Sequence, residues 1–288
     1  MKKTNSAFLG SRSDGGRVIA CLLGILLAVS AIQGKAQTYT ISVADSSLQL
    51  NLNGGISEWT SGGVNQLADQ WYYYAVNGTE YPINTISAPS APTFSGLALG
   101  GRMIDTNLTT TYANSTLSLT TSYTLGIQGS GSTLNSAITI ENVSGSTQTI
   151  QFYQLSDFAL GGMSGGQTVQ FLETTNPYAV LQTGNGAMLT GTISGLIGGT
   201  STSVEEMAGS GNFGLGNGNP APSFNDSSLT ATGDADFAYE FIATVAPGSS
   251  VSISELQTVP EPSAAAVALA GLLVVGLLRR RGLAPFKK

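Results

Sequence analysis

Short runs of alternating apolar and polar residues fill the sequence between residues 37 and 258. The apolar positions include Leu48, Leu50, Leu52, Leu117, Leu119, Ile138, Ile140, Phe237, Tyr239 and Phe241. Gly, Asn, Ser and Pro separate the runs, and no ten-residue stretch shows the apolar spacing of an amphipathic helix. The pattern predicts an all-β fold: a single antiparallel β-sandwich or jelly-roll-like domain of ten or more strands.

The charge of this segment restricts its partners. Residues 37–258 contain fifteen acidic residues and one basic residue, Arg102, which gives a net charge of −14. Such a surface repels phosphate groups, so we expect no nucleic-acid partner. Acidic substrates and anionic membrane surfaces are disfavoured for the same reason.

The residue types present also restrict catalysis. The chain has no histidine, and its single cysteine, Cys21, lies in the N-terminal apolar run. A Ser-His-Asp triad, a Cys-His pair and an imidazole zinc site are therefore excluded. A pair of carboxylates for glycoside hydrolysis remains open, but sequence spacing cannot reveal it. We interpret the scattered acids as solubilising charge, and predict no catalytic residue, no cofactor and no enzymatic activity.

Asp234, Asp236 and Glu240 could supply oxygen ligands to calcium. However, they lack the spacing of an EF-hand, and no further acidic residue accompanies them. We favour a turn followed by a strand and predict no metal site.

The densest aromatic cluster is Trp71-Tyr72-Tyr73-Tyr74, with Trp59 nearby. Aromatic rings can stack on sugars, so Trp59, Trp71, Tyr72 and Tyr74 are candidate sugar contacts. We favour the alternative, a sheet in which Trp71 and Tyr73 point inward while Tyr72 and Tyr74 are half-exposed.

Five Asn-x-Ser/Thr triplets begin at Asn77, Asn107, Asn114, Asn142 and Asn225. Several are expected by chance in a chain this rich in Ser, Thr and Asn. O-linked sugars on residues 109–111 would fit an envelope protein equally well. The sequence leaves open whether the protein is a glycoprotein.

Residues 1–36 have the composition of a signal peptide. Lys2, Lys3, Arg12 and Arg17 precede an apolar run over residues 18–32, and Gly34-Lys35-Ala36 places small residues before a cut after Ala36. We therefore expect the secretion machinery to export the chain.

The C-terminal residues 259–288 form a three-part tail. Val259-Pro260-Glu261-Pro262 predicts an exposed, extended spacer, because proline disrupts strand pairing. Residues 263–278 carry no charge and predict a transmembrane helix held by membrane lipid. Arg279, Arg280 and Arg281 keep the following end cytoplasmic, which places residues 37–258 outside the cell.

This tail resembles the PEP-CTERM sorting signal of bacterial surface proteins. The resemblance covers about 30 of the 288 residues. It implies that an exosortase, a membrane-embedded transpeptidase, recognises the tail, with Pro260, Glu261, Pro262, Arg279, Arg280 and Arg281 as sorting positions. It also implies association with extracellular polysaccharide. Residues 282–288 extend beyond the arginines, where such tails usually stop sooner.

Together these features predict an exported protein that is first anchored in the inner membrane and then held at the cell surface or in the extracellular matrix. The expected function is a structural or interaction role without catalysis. The first alternative is a carbohydrate-binding module, and the second is a carboxylate glycosidase.

Overall fold

The computed structural model describes residues 38–260 apart from residues 88, 100, 101, 129, 130, 174, 175, 195, 196, 212, 217, 219 and 227. The predicted signal peptide, residues 1–36, lies outside the described residues. So do the predicted transmembrane helix over residues 263–278 and the basic end over residues 279–281. Within the described part of the chain, no helix is long and apolar enough to cross a membrane.

Eighteen strands and two short 3₁₀ turns make up the described residues. The strands are β1 (Thr38–Val43), β2 (Ser46–Asn51), β3 (Gly55–Ser61), β4 (Val64–Leu67), β5 (Asp69–Val76), β6 (Thr79–Pro82), β7 (Thr93–Leu99), β8 (Arg102–Ala113), β9 (Leu117–Gln128), β10 (Gly131–Asn142), β11 (Gln148–Asp157), β12 (Gln167–Glu173), β13 (Tyr178–Gly184), β14 (Ala187–Ile193), β15 (Thr200–Gly209), β16 (Thr230–Gly233), β17 (Asp236–Val245) and β18 (Ser250–Pro260). The 3₁₀ turns are Ile83–Thr85 and Leu160–Gly162.

The strands form two antiparallel sheets of nine strands each. Sheet A has the order β1-β2-β3-β5-β11-β17-β15, with β4 paired to β3 and β6 paired to β5. Sheet B has the order β16-β12-β13-β14-β18-β10-β9-β8-β7. Two antiparallel sheets confirm the predicted all-β fold class.

The core lies between the two sheets, where alternate residues of each strand point inward. Leu48, Leu119, Ile138 and Phe241 are among the buried residues. Aromatic rings bridge the sheets: the rings of Tyr72 in sheet A and Tyr123 in sheet B lie 6.4 Å apart. In these strands, the residues that the alternation predicts to face the core are therefore the buried ones.

The prediction for β5 is wrong by one residue. Tyr72 and Tyr74 point into the core and are buried, whereas Trp71 and Tyr73 lie half-buried on the opposite face of sheet A. The strand carries large aromatic side chains on both faces, so a period of two identifies the strand without showing which face is inward.

A second, smaller core explains why both faces of β5 are aromatic. The segment after β15 crosses the side of sheet A that faces away from sheet B, which we call the outer face. There Leu215 and Phe224 pack with Ala75, Tyr153 and Ala238 of the sheet. Covering the outer face in this way buries apolar side chains on both sides of β5, β11 and β17.

The end of β18 differs from the exposed spacer that the sequence predicts from Val259. Val259 is buried and pairs with Ser132, and Pro260 lies opposite Gly131. Proline is tolerated here because it occupies the last position of the strand, where its missing N–H interrupts no continuing ladder. Any extended spacer therefore begins after Pro260.

Candidate functional site

Three aspartates lie side by side on the outer face of sheet A. Asp69 begins β5 and is paired with Asp157 at the end of β11. Ser156 is paired with Phe237, so the next position in the antiparallel register sets Asp157 beside Asp236 at the start of β17. We call Asp69, Asp157 and Asp236 the carboxyl row. Residues more than 160 positions apart in the chain meet in it.

Asp157 and Asp236 share a contact between their carboxyl groups. The Oδ2 atom of Asp236 accepts a hydrogen bond of 2.7 Å from the Gly211 N–H. The Oδ1 atoms of both aspartates are buried and receive no donor from the described protein groups. Two carboxylates in contact repel each other when both are ionised, so the pair is stable when it holds one proton.

Burial supplies the largest part of this effect. Asp236 is 7% exposed. Burial raises the pKa of Asp236 to about 7, and the charge of Asp157 acts in the same direction, while the Gly211 N–H opposes them. Burial also raises the pKa of Asp157. Asp236 therefore exchanges a proton in the pH range in which general acids and bases work best.

Asp69 completes the carboxyl row. Burial raises the pKa of Asp69 to about 6, and the charge of Asp157 contributes to the shift. At neutral pH this group is mostly ionised. The row therefore combines a proton-holding pair with a neighbouring carboxylate that can accept a proton.

Trp71 lies next to the carboxyl row on the same face of β5, two residues after Asp69. The Trp71 backbone pairs with Leu155 of β11. Its indole ring packs against Gly54, where an added Cβ would come within 1.6 Å of a ring carbon. Glycine is thus required for the ring to occupy this position. Trp71 remains half-buried, on the same face of β5 as Asp69.

Glu240 and Glu80, in contrast, hold the segment that covers the outer face. Glu240 accepts hydrogen bonds from Gln151 Nε2 at 2.9 Å and from the Phe224 N–H at 2.7 Å. Glu80 accepts from the Gly216 N–H at 3.0 Å. These carboxylates already have protein donors, so their role is to anchor the loop rather than to transfer protons.

A further carboxyl group, Glu255, lies between the sheets. Its side chain accepts hydrogen bonds from the Nε2 atoms of Gln154 at 2.7 Å, Gln257 at 3.0 Å and Gln70 at 3.4 Å. We call Glu255 and these three residues the interior amide cluster. Burial raises the pKa of Glu255 to about 7 despite the three amide donors, which lower it. Glu255 is 0% exposed, so no ligand reaches it from solution.

The four candidate sugar contacts lie in different places. Trp59 is 0% exposed and donates a 3.0 Å hydrogen bond from Nε1 to Ser132 Oγ. Tyr72 is also buried in the core. Tyr74 is 8% exposed, near the far end of β5. Among the four, Trp71 is the side chain that lies beside the carboxyl row.

The residues considered for calcium binding are not assembled into a site. Asp236 belongs to the carboxyl row, Asp234 is exposed, and Glu240 is bonded to the covering segment. Among the described residues, no group of three or more acidic, histidine or cysteine side chains has the arrangement of a metal site.

The five asparagines of the Asn-x-Ser/Thr triplets also differ in accessibility. Asn142 is buried, and its Nδ2 group donates to the carbonyl oxygens of Ser146 and Val245. Asn107 donates to Ser122 and Thr124 across sheet B. Asn77, Asn114 and Asn225 are exposed. The accessible candidates for modification are these last three.

Sequence reasoning missed Asp69 and Asp157 as site residues. Nothing local distinguishes them from the other acids, because strand register alone brings them together. One signal was available: Asp69 is separated from Trp71 by one residue, so in a strand both lie on the same face.

Comparisons with known proteins identify the fold. No protein-family model matches the sequence, and no curated protein is similar to it. A bacterial glucoamylase solved in complex with acarbose shares the fold at a TM-score of 0.50, with 11% identity over 84% of this chain and 36% of the glucoamylase. The chain thus spans about a third of the length of that enzyme.

Weaker likenesses extend over nearly the whole of smaller proteins. A galactose mutarotase related enzyme from Lactobacillus acidophilus has a TM-score of 0.44 and 7% identity over 78% of this chain and 98% of its own. A putative aldose 1-epimerase from Escherichia coli K12 has a TM-score of 0.42 and 9% identity over 79% of this chain and 100% of its own.

These findings correct two predictions, that the chain is not an enzyme and that its role is structural without catalysis. The fold is shared with a bacterial glucoamylase at a TM-score of 0.50, and this likeness contradicts both predictions. The physical reason for the error is the treatment of every acidic residue as solubilising charge. The sheet instead gathers three of them into one partly buried row.

Proposed function

We propose that this protein is a carbohydrate-active enzyme that transfers protons to and from a sugar bound at the carboxyl row. The observation that carries the proposal is the carboxyl row itself: strand register sets Asp157 between Asp69 and Asp236, and Trp71 follows Asp69 by two residues on the same face of β5. A fold shared with a glucoamylase that binds acarbose supports a sugar as the ligand. The chain has no histidine, and the carboxyl row supplies the groups to which we assign the acid–base chemistry.

The roles of the residues follow from their surroundings. The Asp157–Asp236 pair holds a proton near neutral pH and acts as the general acid toward a sugar oxygen. Asp69, whose pKa is about 6, is ionised at that pH and acts as the general base. The ring of Trp71 stacks on the apolar face of the sugar and fixes its position above the row.

Carboxyl spacing restricts the reaction further. The two catalytic carboxyl groups of a glycosidase stand about 5 to 9.5 Å apart. Asp157 and Asp236 touch, so they act as one unit rather than as the separated acid and nucleophile. Asp69 supplies the second group, and the proposed chemistry is proton transfer at a sugar C–O bond. Both anomer exchange and glycoside cleavage belong to this class.

The test uses the full-length protein and measures both reactions. Anomer exchange of glucose and galactose is followed by NMR, and reducing-sugar release is measured on neutral oligosaccharides. We expect activity that Asp157→Asn reduces at least about 100-fold. Asp45→Asn is the matched control, because Asp45 is exposed in the turn between β1 and β2. If the unmodified protein bound acarbose but catalysed neither reaction, the enzymatic proposal would be wrong and the site would be a carbohydrate-binding surface.

We also propose that the protein is exported and sorted through its C-terminal tail. The support is the sequence: a signal peptide over residues 1–36, and Glu261-Pro262 followed by an uncharged run and three arginines. An exosortase-type transpeptidase then recognises the tail of a precursor anchored in the inner membrane. The mature protein is held at the cell surface or in the matrix, where extracellular polysaccharide is available as a ligand.

Sorting is tested by replacing Glu261 and Pro262 with alanine while keeping Pro260, which pairs with Gly131 at the end of β18. We expect export to continue and an unprocessed precursor to accumulate in the inner membrane. Replacing Gly282 and Leu283 by alanine is the control. Unchanged mass and location in the first variant would contradict the sorting proposal.

A further inference from the structure

We propose that a cleft at the opposite end of β5 from the carboxyl row binds a single residue of a neutral glycan. The cleft has a volume of about 250 Å³. Tyr74, Asn77, Tyr81, Asn114, Thr116 and Gln148 line it. The residues come from both sheets, so the cleft opens at the end of the sandwich.

Two tyrosine rings form the aromatic wall of this cleft. The rings of Tyr74 and Tyr81 lie 5.8 Å apart at an angle of 35°. Tyr74 is 8% exposed, whereas Tyr81 is 43% exposed. The buried ring therefore packs against the Tyr81 ring, which is accessible to solvent. An exposed aromatic face held in a fixed orientation is suited to stacking on a sugar ring.

Polar atoms that have no partner among the described residues line the cleft beside these rings. Asn114 uses Oδ1 to accept from the Thr116 and Leu117 N–H groups at 2.7 and 2.9 Å. Its Nδ2 group has no acceptor among the described residues. Gln148 donates through Nε2 to Ser144 Oγ and Ser146 Oγ, which leaves Oε1 without a donor in the described part of the chain.

Asn77 adds a third carboxamide. It is exposed in the turn between β5 and β6, with a left-handed φ of 58°, and its side chain bonds to no described residue. The cleft thus offers amide donors and amide acceptors, of which those of Asn114 and Gln148 are oriented by hydrogen bonds to their neighbours. Sugar hydroxyl groups both donate and accept hydrogen bonds, so this mixture matches them.

Charge and size restrict the ligand. None of the lining residues carries a charged side chain. A charged sugar would therefore lose water without gaining an ionic partner, so the cleft favours a neutral one. Its volume lies below the roughly 300–1,000 Å³ of pockets for drug-sized ligands. It therefore suits one ring rather than several.

This cleft is a binding site separate from the proposed active site. Tyr74 and Asp69 lie five residues apart on β5, and their side chains point to opposite faces of sheet A. No carboxyl group lines the cleft, so it binds without proton transfer. A second sugar site on the same domain extends the proposed function from free monosaccharides to polymeric substrates.

The experiment measures binding of full-length protein by calorimetry to maltoheptaose, cellohexaose, laminarihexaose and galactan, with polygalacturonate as the anionic comparison. We expect at least one neutral glycan to bind and Tyr81→Ala to weaken this binding about 10-fold. Tyr81→Phe keeps the ring and should retain affinity within about twofold. The melting temperature of each variant shows whether the fold is intact.

The two sites are separated by reciprocal variants. Tyr81→Ala should leave reaction rates on monosaccharides unchanged, whereas Asp157→Asn should lower turnover at least about 100-fold and leave intact the part of glycan binding that Tyr81→Ala removes. Three results would each contradict the proposal that the cleft binds a neutral glycan. They are binding to none of the four neutral glycans, equal binding by Tyr81→Ala, and preference for polygalacturonate. Failure of turnover alone would contradict the proposed function and leave the cleft standing.

Discussion

The carboxyl row and the interior amide cluster place the same functional group in two different environments. In both, burial is the largest cause of a raised pKa, to about 7 for Asp236 and for Glu255. Glu255 receives three amide N–H donors from both sheets. Asp236 receives one backbone N–H and otherwise faces Asp157.

The number of directional donors separates a structural carboxyl group from a reactive one. Three amides fix the orientation of Glu255 and close its surroundings, so the group ties the sheets together. The carboxyl row has few donors and neighbouring like charge, and two of its members, Asp69 and Asp157, are only partly buried. Such a group can exchange its proton with a ligand. A shifted pKa alone would not have distinguished the two.

The largest expected effect is on stability, and it concerns Glu255, the structural carboxyl group of this comparison. Glu255→Ala removes the acceptor of three buried amides and leaves a cavity between the sheets. We expect a loss of about 3–5 kcal/mol in the free energy of unfolding, measured with denaturant.

Glu255→Gln is the matched control, since it keeps the volume and one acceptor oxygen. Its cost should be less than half that of the alanine variant. Equal costs for the two would show that packing, rather than the amide donors, determines the stability of the interior amide cluster.

The carboxyl row should behave in the opposite way. Asp157→Asn removes a like charge from the contact with Asp236, so we expect the free energy of unfolding to stay within about 1 kcal/mol of the unmodified protein or to increase. Turnover should fall by a factor of about 10² to 10⁴. A large loss of stability would instead show that Asp157 is a structural residue, as Glu255 is.

The pH dependence of stability tests the interior amide cluster again. The pKa of Glu255 is about 7 in the folded protein, above its ordinary value of 4.5. The folded state therefore binds more protons than the unfolded state between these values. Stability should decrease as the pH rises from 4.5 to 7, by up to about 3 kcal/mol from this group.

Glu206 extends the pH range over which stability falls, because burial raises its pKa to about 8. Denaturant unfolding from pH 4.5 to 8.5 measures the slope, and Glu255→Gln should flatten the part below pH 7. Stability that rises across this range would contradict the raised pKa values of both groups.

The smallest expected effect concerns Trp71. Trp71→Ala should weaken sugar binding at the carboxyl row about 10-fold while changing the free energy of unfolding little, since the ring is half-buried. Trp71→Phe should recover most of the affinity. Gly54→Ala should imitate Trp71→Ala, because its added methyl group occupies the space of the ring. If none of these three substitutions changed sugar binding, Trp71 would not be part of the binding site.

Much of the fold could be predicted from local pattern. The alternation at Leu48, Leu119 and Ile138 gives strands with the correct inward face, and these residues are buried. The order of the strands could not be predicted, because the neighbours β5, β11 and β17 come from distant parts of the chain. The alternation in β5 failed because the covering segment makes both of its faces apolar.

The site was less predictable than the fold for a related reason. Asp69 and Asp157 are ordinary acidic residues until register pairs them across two strands. Asp236 was considered for calcium, and Trp71 for sugar, but neither residue indicated the other. Chemistry that depends on the meeting of distant strands leaves little trace in local sequence.

The protonation of Asp157 and Asp236 tests the central claim most directly. Carboxyl carbon NMR shifts, assigned with Asp157→Asn, would be followed from pH 4 to 9 with and without acarbose. We predict that the pair takes up a proton with an apparent pKa near 7, that acarbose shifts this titration, and that Glu255 does not respond to acarbose. Two aspartates that are both ionised at pH 5, or a titration that acarbose leaves unchanged, would contradict the account.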